Sequence, residues 1–326
     1  MNAVTTGSIG ADELDGYRQE LVGYCYRMLG SIHEAEDAVQ ETMLRAWRGL
    51  ARFEDRGGLR PWLYRIATNV CFDLVKGRAR RALPIEIAPA GTSESRLVDP
   101  LPGVTWVQPA PDGLILPPSG DPAEHVVSRE SVRLAFIAAL QHLAPRQRAV
   151  LILRDVLCWQ AAEVASLLET SADAVNSALR RARAALGSID RDEAPVQLPA
   201  ADRALLAAYL DAFERQDVDA LVGLLREDAI VEMPPFDLWL RGREDIRQWL
   251  TAVEALRDHV VVPIGANGSP AIAHYRSQFP GDPPTALAIH VLDVVDGQIS
   301  ALHAFVDAAL FEQFGLPLEP ASQTDR

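Results

Sequence analysis

Cysteine is scarce: Cys25, Cys71 and Cys158 are the only three in 326 residues, with no Cys-x-x-Cys or Cys/His spacing. That excludes an encoded disulfide framework or zinc site and fits a reducing compartment. No run approaches the roughly 18 consecutive apolar residues that span a bilayer, and no basic segment leads into an apolar core at the N-terminus. The chain reads as a cytoplasmic protein with no membrane partner. Lysine is nearly absent, one Lys76 against 30 arginines, and carries no mechanism by itself. Apolar residues at 48% and charged residues at 23% are ordinary globular usage, and the length predicts two or three domains. A net charge of −14 argues at first against a polyanion partner. The charge is uneven, however. Residues 1–195 carry 22 basic and 25 acidic groups, whereas 196–326 carry 9 and 20. Arg45–Arg81 holds ten basic residues against Glu54, Asp55 and Asp73.

Nine of the 22 prolines fall within 83–122, which is therefore expected to be neither helix nor sheet. This linker separates a helical module at 12–82 from a second at 123–190; a short linker at 191–199 precedes a third domain at 200–317. In the first module, Leu14, Tyr17, Leu21, Cys25 and Met28 predict a helix ending at Gly30, and Ser31 with Glu34 forms a capping-box pattern for the next. On that second helix Ala35, Val39, Thr42 and Ala46 face a core. Leu44 lies about 180° away among Asp37, Gln40, Glu41 and Arg48, which is either a partner surface or a solvated face with one stray leucine. A third helix begins near Pro61. Trp62, Ile66, Val70 and Leu74 line one side, and Tyr64, Thr68 and Phe72 the other, beside Arg65 and Asn69. Rings among cations suit single-stranded nucleic acid; equally, the helix is buried on two faces and carries a basic tail.

In the second module, a helix from Pro145 through Val156, a short helix at Ala161–Leu168 and a third at Ala172–Leu186 have the lengths of a helix-turn-helix. Ser171 is the expected N-cap. Val175, Leu179, Ala182 and Leu186 form the core stripe, opposite Asp173, Ser177, Arg180 and Arg181.

The run HEAEDAVQETMLRAWRGLARF followed by LRPWLYRIATNVCFDLVKGRARR resembles region 2 of extracytoplasmic-function sigma factors of bacterial RNA polymerase. LAPRQRAVLILRDVLCWQAAEVASLLETSADAVNSALRRARAAL is similar to their region 4. The resemblance implies an all-α pair of modules and partners in core polymerase, through its β′ clamp helices and β subunit, and in promoter DNA. It places polymerase contact on Asp37, Gln40, Glu41 and Leu44. It places minus-ten contact on the 53–60 loop with Arg56 and Arg60, on Arg65 and Asn69, and on the basic end with Lys76, Arg80 and Arg81. Ser171, Asp173, Asn176, Ser177, Arg180 and Arg181 fall on the helix that reads the minus-thirty-five element. Asn176 and Ala178 stand where the family often has Lys or Arg, which lowers the phosphate affinity expected there.

The third domain reads as α+β, with helices near Ala201–Gln216, Asp219–Glu227 and Arg243–Leu256 and hairpin turns at Asn267-Gly268 and Asp296-Gly297. It resembles the cone-shaped SnoaL-like domain, which implies regulation in cis without a separate anti-sigma partner. The linker motif around Trp106 is expected to dock the cone. Bulge-free pairing across Asp296-Gly297 would put His290 opposite His303 on one pocket face, as ligand-binding or as core histidines. No catalytic residue, metal or cofactor is expected. The rival readings are a one-component ligand-responsive DNA-binding regulator and a SnoaL-like enzyme fused to a DNA-binding module; a carboxylate beside the histidines would favour the enzyme.

Overall fold

The computed structural model describes residues 11–53, 58–97, 99–101, 106–117, 128–187, 199–253, 259–279 and 281–320. The first module comprises α1 (Ala11–Asp15), α2 (Arg18–Leu29), α3 (Ile32–Gly49) and α4 (Leu59–Val75). The single first helix expected from the spacing is broken between Asp15 and Arg18. Gly30 ends α2 in the left-handed region, φ 70°. Ser31 Oγ caps α3 by accepting the Glu34 N–H at 3.3 Å, while the Glu34 carboxylate turns instead to Arg78 and Arg81. The core stripe Ala35, Val39, Thr42 and Ala46 is fully buried.

On α4, Tyr64, Thr68 and Val70 are buried, whereas Trp62, Ile66, Phe72 and Leu74 are half-buried. Tyr64 lies 5.0 Å, ring to ring, from Tyr24 and from Trp159 of the second module. Thr68 Oγ1 is 2.7 Å from the Tyr24 hydroxyl. Tyr64 and Thr68 are therefore core, and of the two readings left open for this helix the buried one holds for them.

The described residues of the linker form a strap packed on the folded body. It contains a turn at Pro84–Glu86, a four-residue helix α5 (Asp112–Ile115), and isolated bridges Ala82↔Trp106 and Pro111↔Ala266. The expectation of no helix fails because Asp112 is followed by Gly113, Leu114 and Ile115, enough for one turn between prolines. The second module comprises α6 (Leu134–Gln141), α7 (Pro145–Leu151), a wider-wound continuation over Ile152–Val156, α8 (Ala161–Leu167) and α9 (Ala172–Gly187).

The third domain runs α10 (Pro199–Glu214), α11 (Val218–Gly223), β1 (Leu225–Glu232), β2 (Trp239–Arg241), α12 (Arg243–Ala252), β3 (His259–Ala266), β4 (Ser269–Arg276), β5 (Thr285–Val295), β6 (Gln298–Phe305) and α13 (Leu310–Gln313). The sheet order is β2-β1-β6-β5-β4-β3, antiparallel except for the parallel β1–β6 pair. Asn267-Gly268 and Asp296-Gly297 all have positive φ, as two-residue hairpin turns of the right twist require.

Two cores result. One sheet face, with Ile272, Leu292 and Val294, packs under α10 through Leu205, Tyr209 and Phe213. The other face, with Ala271, Ala273, Ile289, Val291 and Phe305, belongs to one continuous core with both helical modules.

Candidate functional site

Because the inner stripe of α3 is consumed by the core, its outer residues are left to solvent. Asp37 and Gln40 are exposed, Glu41 is half-buried beside Arg45, and Leu44 is 45% exposed. Trp47, one turn further, is 57% exposed. The two apolar side chains line an open groove of about 230 Å³ with Leu14, Gln40 and Met43. The sequence reading missed Trp47, although its i+3 spacing from Leu44 was available as a signal.

Four cations of the basic stretch, Arg60, Arg78, Arg80 and Arg81, are held by carboxylates. Arg60 pairs with Glu20 at 3.1 Å, and its guanidinium lies 5.4 Å from the ring centres of both Tyr64 and Trp159. Arg78 and Arg81 meet Glu34, and Arg80 meets Glu86 and His142. Arg81 is buried, donating also to Trp106 O at 2.7 Å. Arg65, Asn69 and Lys76 are exposed. Arg56 lies outside the described residues. The structure thus leaves Arg65, Asn69 and Lys76 on the surface, ties the half-buried Arg60 and the exposed Arg80 to carboxylates, and buries Arg81. Glu20, Glu34 and Glu86, which hold them, come from other elements and leave no mark in the local sequence.

On α9 the cap is as the sequence indicates: Ser171 Oγ accepts the Ala174 N–H at 3.1 Å. Val175, Leu179, Ala182 and Leu186 are buried, and Asp173, Asn176, Arg180 and Arg181 are exposed. An open cleft of about 550 Å³ runs along this face, lined by Asp173, Asn176, Ser177 and Arg180 together with Arg154 and Arg183. Arg183 is bound to Asp155 through two hydrogen bonds of 2.9 and 2.7 Å.

Trp106 is buried, and its backbone is held by the first module. It bridges Ala82, and its neighbours Val107 and Gln108 donate to Ala82 O and Gly30 O. The cone meets the same stretch of linker a few residues on, at Ala110, Pro111 and Asp112. Asn267 Oδ1 accepts the Ala110 N–H at 2.8 Å, and its Nδ2 donates to the Tyr26 hydroxyl and to Val132 O, both at 2.7 Å. One buried side chain therefore touches the first module, the strap and the second module. Further along, Trp239 Nε1 donates to Ala88 O at 2.8 Å and Trp249 Nε1 to Ser95 O at 3.0 Å.

The two cone histidines are not brought together. A register shift between Asp293 and Val294 pairs His290 with Ala304, and His303 with Val291. One extra residue moves side chains to the opposite face, so the expected His290/His303 pair fails. His290 lies under α10, with Nδ1 3.1 Å from the Tyr209 hydroxyl and Nε2 3.2 Å from His274 Nδ1; His274 in turn contacts His259. Burial, followed by the charge of His259, pushes the His290 imidazole down to about 3, and burial likewise lowers His274. On the other face His303 lies between Glu232 at 2.7 Å and Asp293 at 3.2 Å. Burial alone would lower it, but these two carboxylates outweigh burial and hold it at about 10. The carboxylates sought beside a histidine therefore exist, but Glu232 also accepts the strap's Ile85 N–H at 2.9 Å. Among the described residues, no group of three or more His, Cys, Asp or Glu is placed to hold a metal, and no helix is long and apolar enough to cross a membrane.

Three families match in series: Sigma-70 region 2 over residues 14–81, Sigma-70, region 4 over 133–186, and the SnoaL-like domain over 206–302. The ECF RNA polymerase sigma factor SigG of Mycobacterium tuberculosis is 45% identical over 333 residues, spanning 97% of this chain and 88% of its own. The probable ECF RNA polymerase sigma factor SigI of the same organism is 29% identical, spanning 94% and 88%. The crystal structure of the M. tuberculosis extracytoplasmic function sigma factor SigJ superposes with a TM-score of 0.61 at 23% identity, covering 95% of this chain and 100% of that one, and so shares the fold.

Proposed function

The chain belongs to the extracytoplasmic-function (ECF) RNA polymerase sigma factors, and on that premise we propose how its surfaces divide the work. The outer face of α3, with Asp37, Gln40, Glu41, Leu44 and Trp47, docks on the β′ clamp helices of core polymerase. Leu44 and Trp47 exposed side by side carry this reading, since aromatic anchors set among polar residues dominate protein interfaces. The first module reads the minus-ten element through Arg65, Asn69, Lys76 and the 53–60 loop, where a flipped base costs a few kcal/mol of stacking that a prepared pocket offsets. Face α9 reads the minus-thirty-five element in the major groove, with Asn176 and Ser177 toward base edges and Arg180 and Arg181 toward phosphate. Contact with the polymerase β subunit falls to the second module.

The cone regulates in cis, in the place of a separate anti-sigma partner, by gripping the strap through Asn267, Trp239 and Trp249. Its residues 196–326, with 9 basic against 20 acidic groups, also weaken DNA association in a salt-dependent way when close to the DNA path. Run-off transcription with reconstituted holoenzyme and a randomised promoter library tests the scheme. Wild type should initiate at two-element promoters, while Trp239→Phe with Trp249→Phe, which keep the rings and lose the N–H donors, should alter output. Absence of any transcript with core polymerase would sink the assignment of surfaces; unchanged output from the double variant and from a 200–326 deletion would sink regulation by the cone.

A further inference from the structure

Arg183 on the wall of the α9 cleft, and Asp155 behind it, stand outside the minus-thirty-five set assigned above. A local departure from regular helix puts them together. Beyond Leu151, α7 does not continue as α-helix. Over Ile152–Val156 the chain winds wider, with the Leu157 N–H donating to Ile152 O, five residues back, at 2.9 Å. A wider turn makes successive side chains diverge by less than the about 100° of an α-helix, so neighbours can reach one side, and such turns recur at functional sites. Here Arg154 lines the cleft while the next residue, Asp155, meets Arg183 of α9.

Both oxygens of Asp155 are engaged. Arg183 Nε donates to Oδ2 at 2.9 Å and Nη2 to Oδ1 at 2.7 Å. This side-on fork fixes the plane of the guanidinium and directs Nη1 away from the carboxylate. Asn176, Arg180 and Arg183 follow one another at helical spacing along one side of α9, and the Arg183 side chain is 61% exposed.

Two effects of Asp155 on DNA binding oppose each other. By charge alone, a carboxylate beside a polyanion weakens association. A pair this exposed also adds little to the stability of a fold. Against that, a free arginine loses rotamer freedom when it meets a phosphate, whereas a guanidinium already held by a planar partner loses less. Because the carboxylate is covered by two donors, the edge of the pair that faces outward is cationic.

We propose that Arg183 is a further phosphate contact of the minus-thirty-five module and that Asp155, on the wide turn, is its positioning residue, an acidic side chain that strengthens DNA binding. The inference rests on the assignment of α9 to the minus-thirty-five element and adds to it two residues and the sign of a charge effect.

Holoenzyme reconstituted with the full chain, titrated against a labelled promoter fragment selected from the randomised library, measures affinity and its salt dependence by fluorescence anisotropy. Arg183→Ala should weaken binding about eightfold near about 0.1 M salt and reduce the salt slope by about 0.9, the signature of one phosphate contact. Asp155→Asn removes a negative charge and should nonetheless weaken binding about threefold, whereas Asp155→Glu, which can rebuild the fork, should stay within about twofold of wild type. With Arg183→Ala already present, Asp155→Asn should weaken binding no further, because no guanidinium is left to position. Tighter binding by Asp155→Asn overturns the proposal. So does a loss that persists undiminished in the Arg183→Ala background, since the carboxylate would then act through the fold. Unchanged affinity and slope in Arg183→Ala, in a holoenzyme that Arg181→Ala does weaken, overturns it as well. If Arg181→Ala and Asn176→Ala are silent too, α9 does not lie on DNA and the surface assignment itself falls.

Discussion

His290 and His303 occupy one strand pair and opposite electrostatic worlds, because the shift at Asp293/Val294 turns one toward α10 and the other toward two carboxylates. Their effects on stability have opposite signs. His303 keeps its proton up to about 10 when folded and releases it near 6.5 when unfolded, so its contribution is complete below 6.5 and is lost as pH rises toward 10. His290 stays neutral down to about 3 when folded, whereas the unfolded chain takes up that proton below 6.5; stability is lost as pH falls from 6.5 toward 3. His274, also lowered, adds to the acid limb. Urea midpoints measured from pH 4 to 10 should therefore peak near 6.5. His303→Gln should flatten the alkaline limb while retaining the acid one; a curve still falling steeply above pH 7 in that variant would refute the assignment.

At the level of elements, α3 and α9 each bury one stripe and offer the other. On α3, Trp47→Ala should weaken core polymerase binding by at least about 2 kcal/mol, roughly thirtyfold, as expected of an aromatic anchor. Titration of labelled protein with core polymerase measures this, with the helix content of the variant unchanged because Trp47 is 57% exposed. On α9, Arg181 is exposed and outside the Arg183–Asp155 pair. Replacing it with Ala should lower holoenzyme affinity nearly equally across minus-thirty-five sequences and reduce the salt slope by about 0.9. Asn176→Ala should instead change which sequences are preferred. An Arg181→Ala effect confined to one sequence would reverse these roles.

For the whole molecule, the continuous core through both helical modules and the outer sheet face makes the cone part of the fold rather than an appendage. Asn267 concentrates that coupling, with three side-chain hydrogen bonds to Tyr26, Ala110 and Val132 in a fully buried position. Asn267→Ala strands those partners and should cost about 2–4 kcal/mol. Circular dichroism and tryptophan fluorescence should lose coincidence in urea as the modules uncouple. A variant that unfolds at the wild-type midpoint with coincident probes would show that the hub carries no coupling.

Sequence by itself determined what depends on neighbours within about four residues: the stripes of α3 and α9, the Ser31 and Ser171 caps, the two Asn-Gly and Asp-Gly turns, and the unpartnered Leu44. Each follows from helical or strand periodicity and local hydrogen bonding. Tertiary structure alone decided what depends on distant chain. Tyr64 and Thr68 became core because Tyr24 and Trp159 arrive from other elements. Arg60, Arg78, Arg80 and Arg81 found carboxylate partners in Glu20, Glu34 and Glu86, and the Trp106 backbone met Arg81 and Ala82. One inserted residue in a sheet separated His290 from His303. No periodicity encodes such pairings, because their energies come from burial and charge between segments that only folding brings into contact.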